Sequence, residues 1–167
     1  MKNLLKHQLG FSLVELIIYM GLVVVLFVVL TSVFLTTLDV QLTSQTSSSV
    51  QQEGRYLLAR LSFDIRRANS ITTPAGIGIL SPTLSLVIAG VPYTYSVNNG
   101  QLQLTINGTT TSVLNEFDTG VTAFSVQEIG NAGGKPTVQL ELTISSTNSS
   151  STQIIERRTY QTTVDLR

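Results

Sequence analysis

Hydrophobic and polar positions divide the chain into three stretches of different period. From Leu16 to Leu38 the residues are mostly apolar and no charge interrupts them. These 23 residues, at a helical rise of about 1.5 Å each, reach roughly 30 to 35 Å, enough to cross the hydrocarbon core of a bilayer. In the second stretch Leu38, Leu42, Val50, Leu57, Leu61, Ile65 and Ala68 recur at spacings that suit one face of a continuing helix. Gln51, Glu53, Arg60, Asp64 and Arg67 fall largely elsewhere on that wheel. Thr43 to Ser49 are weak helix formers and mark a place for the helix to fray or bend, and Pro74 ends the pattern. From about Ile77 the period becomes two. Leu84, Leu86 and Ile88, then Tyr93, Tyr95 and Val97, then Leu102, Leu104 and Ile106 alternate with polar neighbours, as strands with one buried face do. Asn98-Asn99-Gly100 and Asn107-Gly108 tolerate the positive φ of tight hairpin turns, so these strands read as an antiparallel meander. Val121 to Ile129, Val138 to Ile144 and Ile154 to Leu166 continue the sheet pattern. The stretches from Gly130 to Gly134 and from Ser145 to Thr152 read as loops.

A helical face and a sheet face of this kind cannot be buried separately. The expected fold is therefore α+β: a long N-terminal membrane-spanning helix whose outer half, with Leu57, Leu61 and Ile65, packs on an antiparallel sheet head. A chain of 167 residues suffices for one modest core plus that appendage.

Charge and composition narrow the function. Ten basic residues balance ten acidic ones and form no long run, so direct nucleic-acid binding is not expected. The absence of cysteine excludes disulfides, thiolate metal sites and thiol nucleophiles. His7 is the only histidine, which excludes two-histidine metal clusters. Lys2 and Lys6 precede the apolar run, so the positive-inside rule puts the N-terminus in the cytoplasm and the C-terminal region outside. An ordinary secretory signal would be shorter and would end in a small-x-small cleavage site, which does not follow Leu30; the apolar helix is expected to stay in the mature chain.

The string Gly10-Phe11-Ser12-Leu13-Val14-Glu15, after a short basic leader and before some twenty apolar residues, resembles the class III signal of type IV pilins and pseudopilins. That resemblance implies cleavage after Gly10 by a prepilin peptidase, N-methylation of the new terminal Phe11, and assembly with other pilin or pseudopilin subunits on an inner-membrane platform. A residue without Cβ suits Gly10 to close approach by a peptidase. Glu15 is costly within an apolar helix, though less so near the interface. In the resembled family the corresponding glutamate pairs with the N-terminal amine, here that of Phe11, commonly of a neighbouring subunit.

Gln52-Glu53-Gly54-Arg55-Tyr56-Leu57-Leu58 through Asp64-Ile65-Arg66-Arg67-Ala68 also resembles the second half of the first helix in W-type minor pilins and J-type minor pseudopilins. The helix-bending proline and the C-terminal cysteine pair of major pilins are both missing. The implied organisation is a leader over residues 1–10, a membrane or filament-core helix over 11–38, its amphipathic continuation over 39–73 and a β head over 74–167. The implied function is a minor pilin or pseudopilin, held in the inner membrane and then built into a filament or its tip. The alternative is a membrane-anchored extracytoplasmic binding domain that never polymerises.

The head offers little chemistry. Gly76-Ile77-Gly78 lacks the third glycine and the strand-to-helix setting of a nucleotide loop and reads as a turn. Glu116 and Asp118 carry oxygen ligands of the kind calcium takes, as some pseudopilins do, but their spacing fits no strong motif and no metal site or cofactor is assigned. Arg66-Arg67 and Arg157-Arg158 read as solvated faces before they read as contacts to acidic partners. No catalytic residue and no enzymatic activity are assigned.

Overall fold

In the computed structural model, residues 12–131, 133–147 and 155–166 are described. One helix, α1 (Leu13–Arg66), is followed by β1 (Ser70–Thr73), β2 (Leu80–Ser81), β3 (Thr83–Ile88), β4 (Val91–Asn98), β5 (Gln101–Ile106), β6 (Thr110–Val113), β7 (Thr119–Ile129), β8 (Thr137–Ser146) and β9 (Arg157–Asp165). The class is α+β, as the change of period predicts. Two units divide between Gln41 and Leu42.

The described part of the first unit is helical from Leu13. It is the one helix among the described residues long and apolar enough to cross a membrane by length and composition, and it lies near the N-terminus. Its large apolar side chains from Leu13 to Leu35 are exposed, Phe27 and Val28 at 65 % each. Polar residues do not break this helix, because their hydroxyls bond to its own backbone. Thr36 donates to the Ser32 carbonyl at 2.9 Å and Thr37 to the Val33 carbonyl at 2.9 Å. Such back-bonding satisfies a hydroxyl where no water is at hand.

In the second unit the rest of α1 buries Val50, Glu53, Gly54, Leu57, Leu61, Asp64 and Ile65, the three- and four-residue spacing of one helical face. This face meets two antiparallel sheets, one ordered β1-β3-β4-β5-β6 and the other β2-β7-β8-β9. Leu57, Leu61 and Ile65 join Leu84, Leu86, Tyr95, Leu102, Val126, Leu140, Leu142 and Ile144 in one hydrophobic cluster. Burying a leucine or isoleucine side chain fully contributes roughly 1.5 to 3 kcal/mol, so this shared cluster is what docks helix to sheets.

Tight turns set the register of the meander. Asn99 and Gly100 have φ of 49° and 76°, and Asn107 and Gly108 have 53° and 69°. Leu84 faces Tyr95, and Tyr95 faces Leu104, across neighbouring strands. Ala89-Gly90 makes a third turn of the same kind, with φ of 50° and 80°. Sequence reading missed it, since alanine is a poor marker for that conformation.

Four expectations need correction. First, the helix does not continue to residue 73. After Arg66 the last turn tightens, with the Ala68 amide donating to the Ile65 carbonyl, and the Asn69 amide turns away to the Val87 carbonyl at 2.7 Å. Ser70–Thr73 then pairs with β3. Ile71, Thr72 and Thr73 are β-branched, and Thr73 precedes Pro74, which also disfavours helix. Second, the head holds two sheets, not one. Asn115 makes the break: its Oδ1 accepts from the Leu102 amide at 2.8 Å, while its Nδ2 donates to the Thr119 carbonyl at 2.8 Å. One side chain thus ties the start of β5 to the start of β7 and sends the chain into a new sheet. Third, Glu53 and Asp64 lie on the buried face of α1, at 7 % and 1 % exposure, while Leu38 and Leu42 are at 39 % and 48 %. Fourth, Ser145 and Ser146 end β8 as buried residues and belong to no loop. The Thr43 to Ser49 segment is helical throughout, and Thr46 donates to the Leu42 carbonyl at 2.8 Å.

Candidate functional site

Gly10 and Phe11, the predicted cleavage and methylation positions, lie outside the described residues. Glu15 is described. It stands in the first turn of α1 and is exposed. Ser12 precedes the helix, and its carbonyl accepts from the Leu16 amide at 3.1 Å. Ser12 and Glu15 therefore occupy the N-cap and third helical positions, the S-x-x-E spacing of a capping box. No ion pair to Glu15 forms among the described residues. Its surroundings are Leu13, Val14, Leu16 and Ile17 on an exposed apolar helix.

The head carries its charge chemistry in two places on α1, and hydropathy indicated neither. Glu53 lines a cleft of about 380 Å³ with Ser49, Gln52, Tyr56, Leu114, Glu116 and Asp118. The helix supplies Ser49, Gln52, Glu53 and Tyr56; the turn after β6 supplies the rest. Three carboxylates line this cleft and no basic side chain does. Burial pushes the Glu53 carboxyl above the ordinary carboxylate range, and the charges of Glu116 and Asp118 push it the same way, against a backbone hydrogen bond at Glu116 that lowers it. Glu53 Oε1 and Asp118 Oδ1, like Asp64 Oδ1 further along the helix, are buried without a hydrogen-bond partner among the described residues. Phe117, between the two acidic residues of the turn, is 92 % exposed.

Asp64 is handled in the opposite way. Its Oδ2 accepts from the Tyr95 hydroxyl and from Arg60 Nε at 3.0 Å, and Arg67 Nε stands 3.7 Å from its Oδ1. Arg67 also lies over the Phe63 ring, 5.1 Å from its centre. Burial, with the Asp64 hydrogen bond and charge, pushes the Tyr95 hydroxyl far above the usual phenol range. This is a compensated buried charge that fastens α1 to β4. Spacing alone could have placed both acids: Glu53 is three residues after Val50, and Asp64 three after Leu61.

The basic pairs are partly occupied. Arg158 Nε donates to Glu156 at 2.9 Å and its Nη2 to the Ser47 hydroxyl at 3.1 Å, tying the start of β9 to α1. Arg67 is engaged by Asp64. Among the described residues, no three acidic or histidine side chains are arranged to hold a metal ion. Gly76 to Gly78 is a turn whose Gly78 amide donates to the Glu128 carbonyl at 2.8 Å, with Gly78 at a φ of 81°. No protein-family model, curated protein or solved structure matches the chain.

Proposed function

We propose that this chain is a minor pilin or pseudopilin subunit of a type IV filament machine, such as a pilus, a type II secretion system or a DNA-uptake pseudopilus. The observation that carries the reading is the first part of α1, whose large apolar side chains from Leu13 to Leu35 are exposed, with a single carboxylate, Glu15, in its first turn. Exposed apolar surface on this scale needs lipid or other helices around it. A filament subunit meets both in turn, first in the inner membrane and then among its neighbours. The GFSLVE string supplies the rest: a prepilin peptidase cuts after Gly10 on the cytoplasmic side, Phe11 becomes the methylated terminus, and its amine pairs with Glu15 of a neighbouring subunit. The domain beginning near Leu42 faces the extracytoplasmic side.

A second reading rests on the position of Glu15 three residues after Ser12. If Glu15 serves only as the partner in a capping box, the chain is a membrane-anchored binding domain with no need to polymerise. Intact-mass measurement of membrane-extracted protein, from cells with and without prepilin peptidase, tests the first reading. A mature chain starting at Phe11 only where the peptidase is present, with recovery in sheared filaments or in a complex with partner subunits, supports it. A chain that keeps Met1 in the presence of the peptidase overturns it.

A further inference from the structure

We propose that the cleft between α1 and the turn after β6 is a receptor for an arginine side chain presented by a partner protein, with Glu53 and Tyr56 in its lining and Phe117 exposed in the same turn. This inference is independent of the filament reading, since an anchored binding domain could use the same cleft.

Glu53 sits on the buried helical face at 7 % exposure and lines the cleft, and its Oε1 has no hydrogen-bond partner among the described residues. A buried carboxylate in that condition is costly, and folded proteins ordinarily resolve such groups with a partner. Elsewhere on the same helix Asp64, whose Oδ1 also lacks a hydrogen bond, is given positive charge by Arg60 on its Oδ2 and Arg67 at 3.7 Å from its Oδ1, with the Tyr95 hydroxyl donating to Oδ2. At Glu53 a backbone hydrogen bond at Glu116 is present, but the neighbouring charges are those of Glu116 and Asp118, and Asp118 Oδ1 is unpartnered too. The site is built to receive positive charge that the described chain does not supply.

Size and lining select the kind of cation. A cleft of about 380 Å³ is far larger than a single ion needs, and its carboxylates are not arranged to hold a metal. The walls include the aromatic ring of Tyr56 and the aliphatic Leu114. A guanidinium group stacks on an aromatic face, forks onto carboxylate oxygens and is less strongly hydrated than an ammonium, while its stem covers apolar surface. Phe117 stands at 92 % exposure in the same turn. An exposed aromatic in the turn that supplies a charge receptor is the composition of an interface centre, where aromatic and arginine residues concentrate the binding energy.

The full chain, detergent-solubilised and carrying carboxyl-labelled glutamate and aspartate, is titrated with three probes while the carboxyl resonances are followed. These are the capped peptide Leu-Arg-Leu, its citrulline counterpart, which keeps the shape without the charge, and calcium chloride. Saturable shifts of the Glu53, Glu116 and Asp118 carboxyls are expected with the arginine peptide and not with the citrulline peptide. Glu53→Gln is expected to weaken that binding by about tenfold or more, the scale set by loss of a close charge pair. Asp118→Asn on the turn gives the same readout without touching the helix and serves if Glu53→Gln disturbs the fold. Saturable binding of calcium at this cleft without binding of the arginine peptide overturns the proposal in favour of a metal site. Equal binding of arginine and citrulline peptides, or of neither, overturns it as well.

Discussion

The ring of Tyr160 on β9 lies directly against the backbone of Gly54 on α1, so closely that a β-carbon at residue 54 would overlap the ring. The Tyr160 hydroxyl then donates to the Val50 carbonyl one turn earlier, at 3.1 Å. Glycine is used here for close approach, since it sits mid-helix where its intrinsic propensity is poor. Gly54→Ala is therefore expected to destabilise the protein by about 1 to 3 kcal/mol through overpacking, although alanine is the better helix former. Chemical denaturation of the solubilised chain measures this. Pairing Gly54→Ala with Tyr160→Ala should recover part of the loss from Gly54→Ala, because the clash is removed along with the ring.

The Asp64 cluster predicts an alkaline limit. Tyr95 has a folded-state pKa raised from 10.0, so its contribution is intact below the ordinary phenol value and falls away as pH rises from there towards the folded value. Tyr95→Phe should cost about 1 to 3 kcal/mol at pH 7, since it removes a hydrogen bond to a buried charge. The same variant should lose less stability than the parent between pH 10 and 11. Thermal melts across that range decide the matter; parallel losses in both proteins would mean that other groups control the alkaline limit.

Glu53 predicts the reverse of what its charge suggests. Its folded-state pKa is raised above 4.5, so the fold favours the protonated acid. That contribution is full below pH 4.5 and lost as pH climbs through the raised value. Glu53→Gln, which keeps the shape and drops the charge, should melt at a higher temperature than the parent at pH 7. The two curves should converge towards pH 4. A less stable Gln variant at neutral pH would show that the ionised carboxylate has a stabilising partner.

Glu15 can be tested for its charge apart from its capping. Glutamine also serves at the third position of a capping box, so Glu15→Gln preserves the local role and removes the partner for the Phe11 amine. Both Glu15→Gln and Glu15→Ala are expected to be processed and to accumulate in the membrane, because the apolar run from Leu16 suffices for insertion. Both should be recovered poorly in sheared filaments or partner complexes. If the Gln variant assembles normally and the Ala variant does not, capping is the role of Glu15.

Most of the elements could be read from period alone, because β3 and β5 of the meander each turn one face to the core, whereas β6 has no buried residue. Leu84, Leu86 and Ile88 are buried at alternate positions in β3, and Leu102 and Leu104 in β5, as the pattern predicts. What period could not supply was the partition into two sheets. That depends on the four-way bonding of Asn115 and on an irregular register between Val121 and Ala123, where the alternation of β7 slips and Phe124 takes the next inward place. The cleft was illegible for another reason. Glu116 and Asp118 carry the oxygens that a ligand takes, but the apolar pattern alone leaves Glu53 off the buried face. Its spacing from Val50 and Leu57 points inward, and it is buried there.

Strand β9 has a consequence for the order in which the molecule can be made. It pairs with β8 from Thr137–Asp165 to Ser145–Arg157, and it brings Val164 and Leu166 into the core and Tyr160 onto Gly54. A ribosome adds about 5 to 20 residues per second, so the interval between making Gly54 and making Tyr160 is roughly 5 to 20 s. Throughout that time the buried face of α1 exists without the strand that covers its glycine. The core closes only once β9 has emerged, and a chain stalled before β9 presents the helix face at Gly54 without its cover to proteases and chaperones.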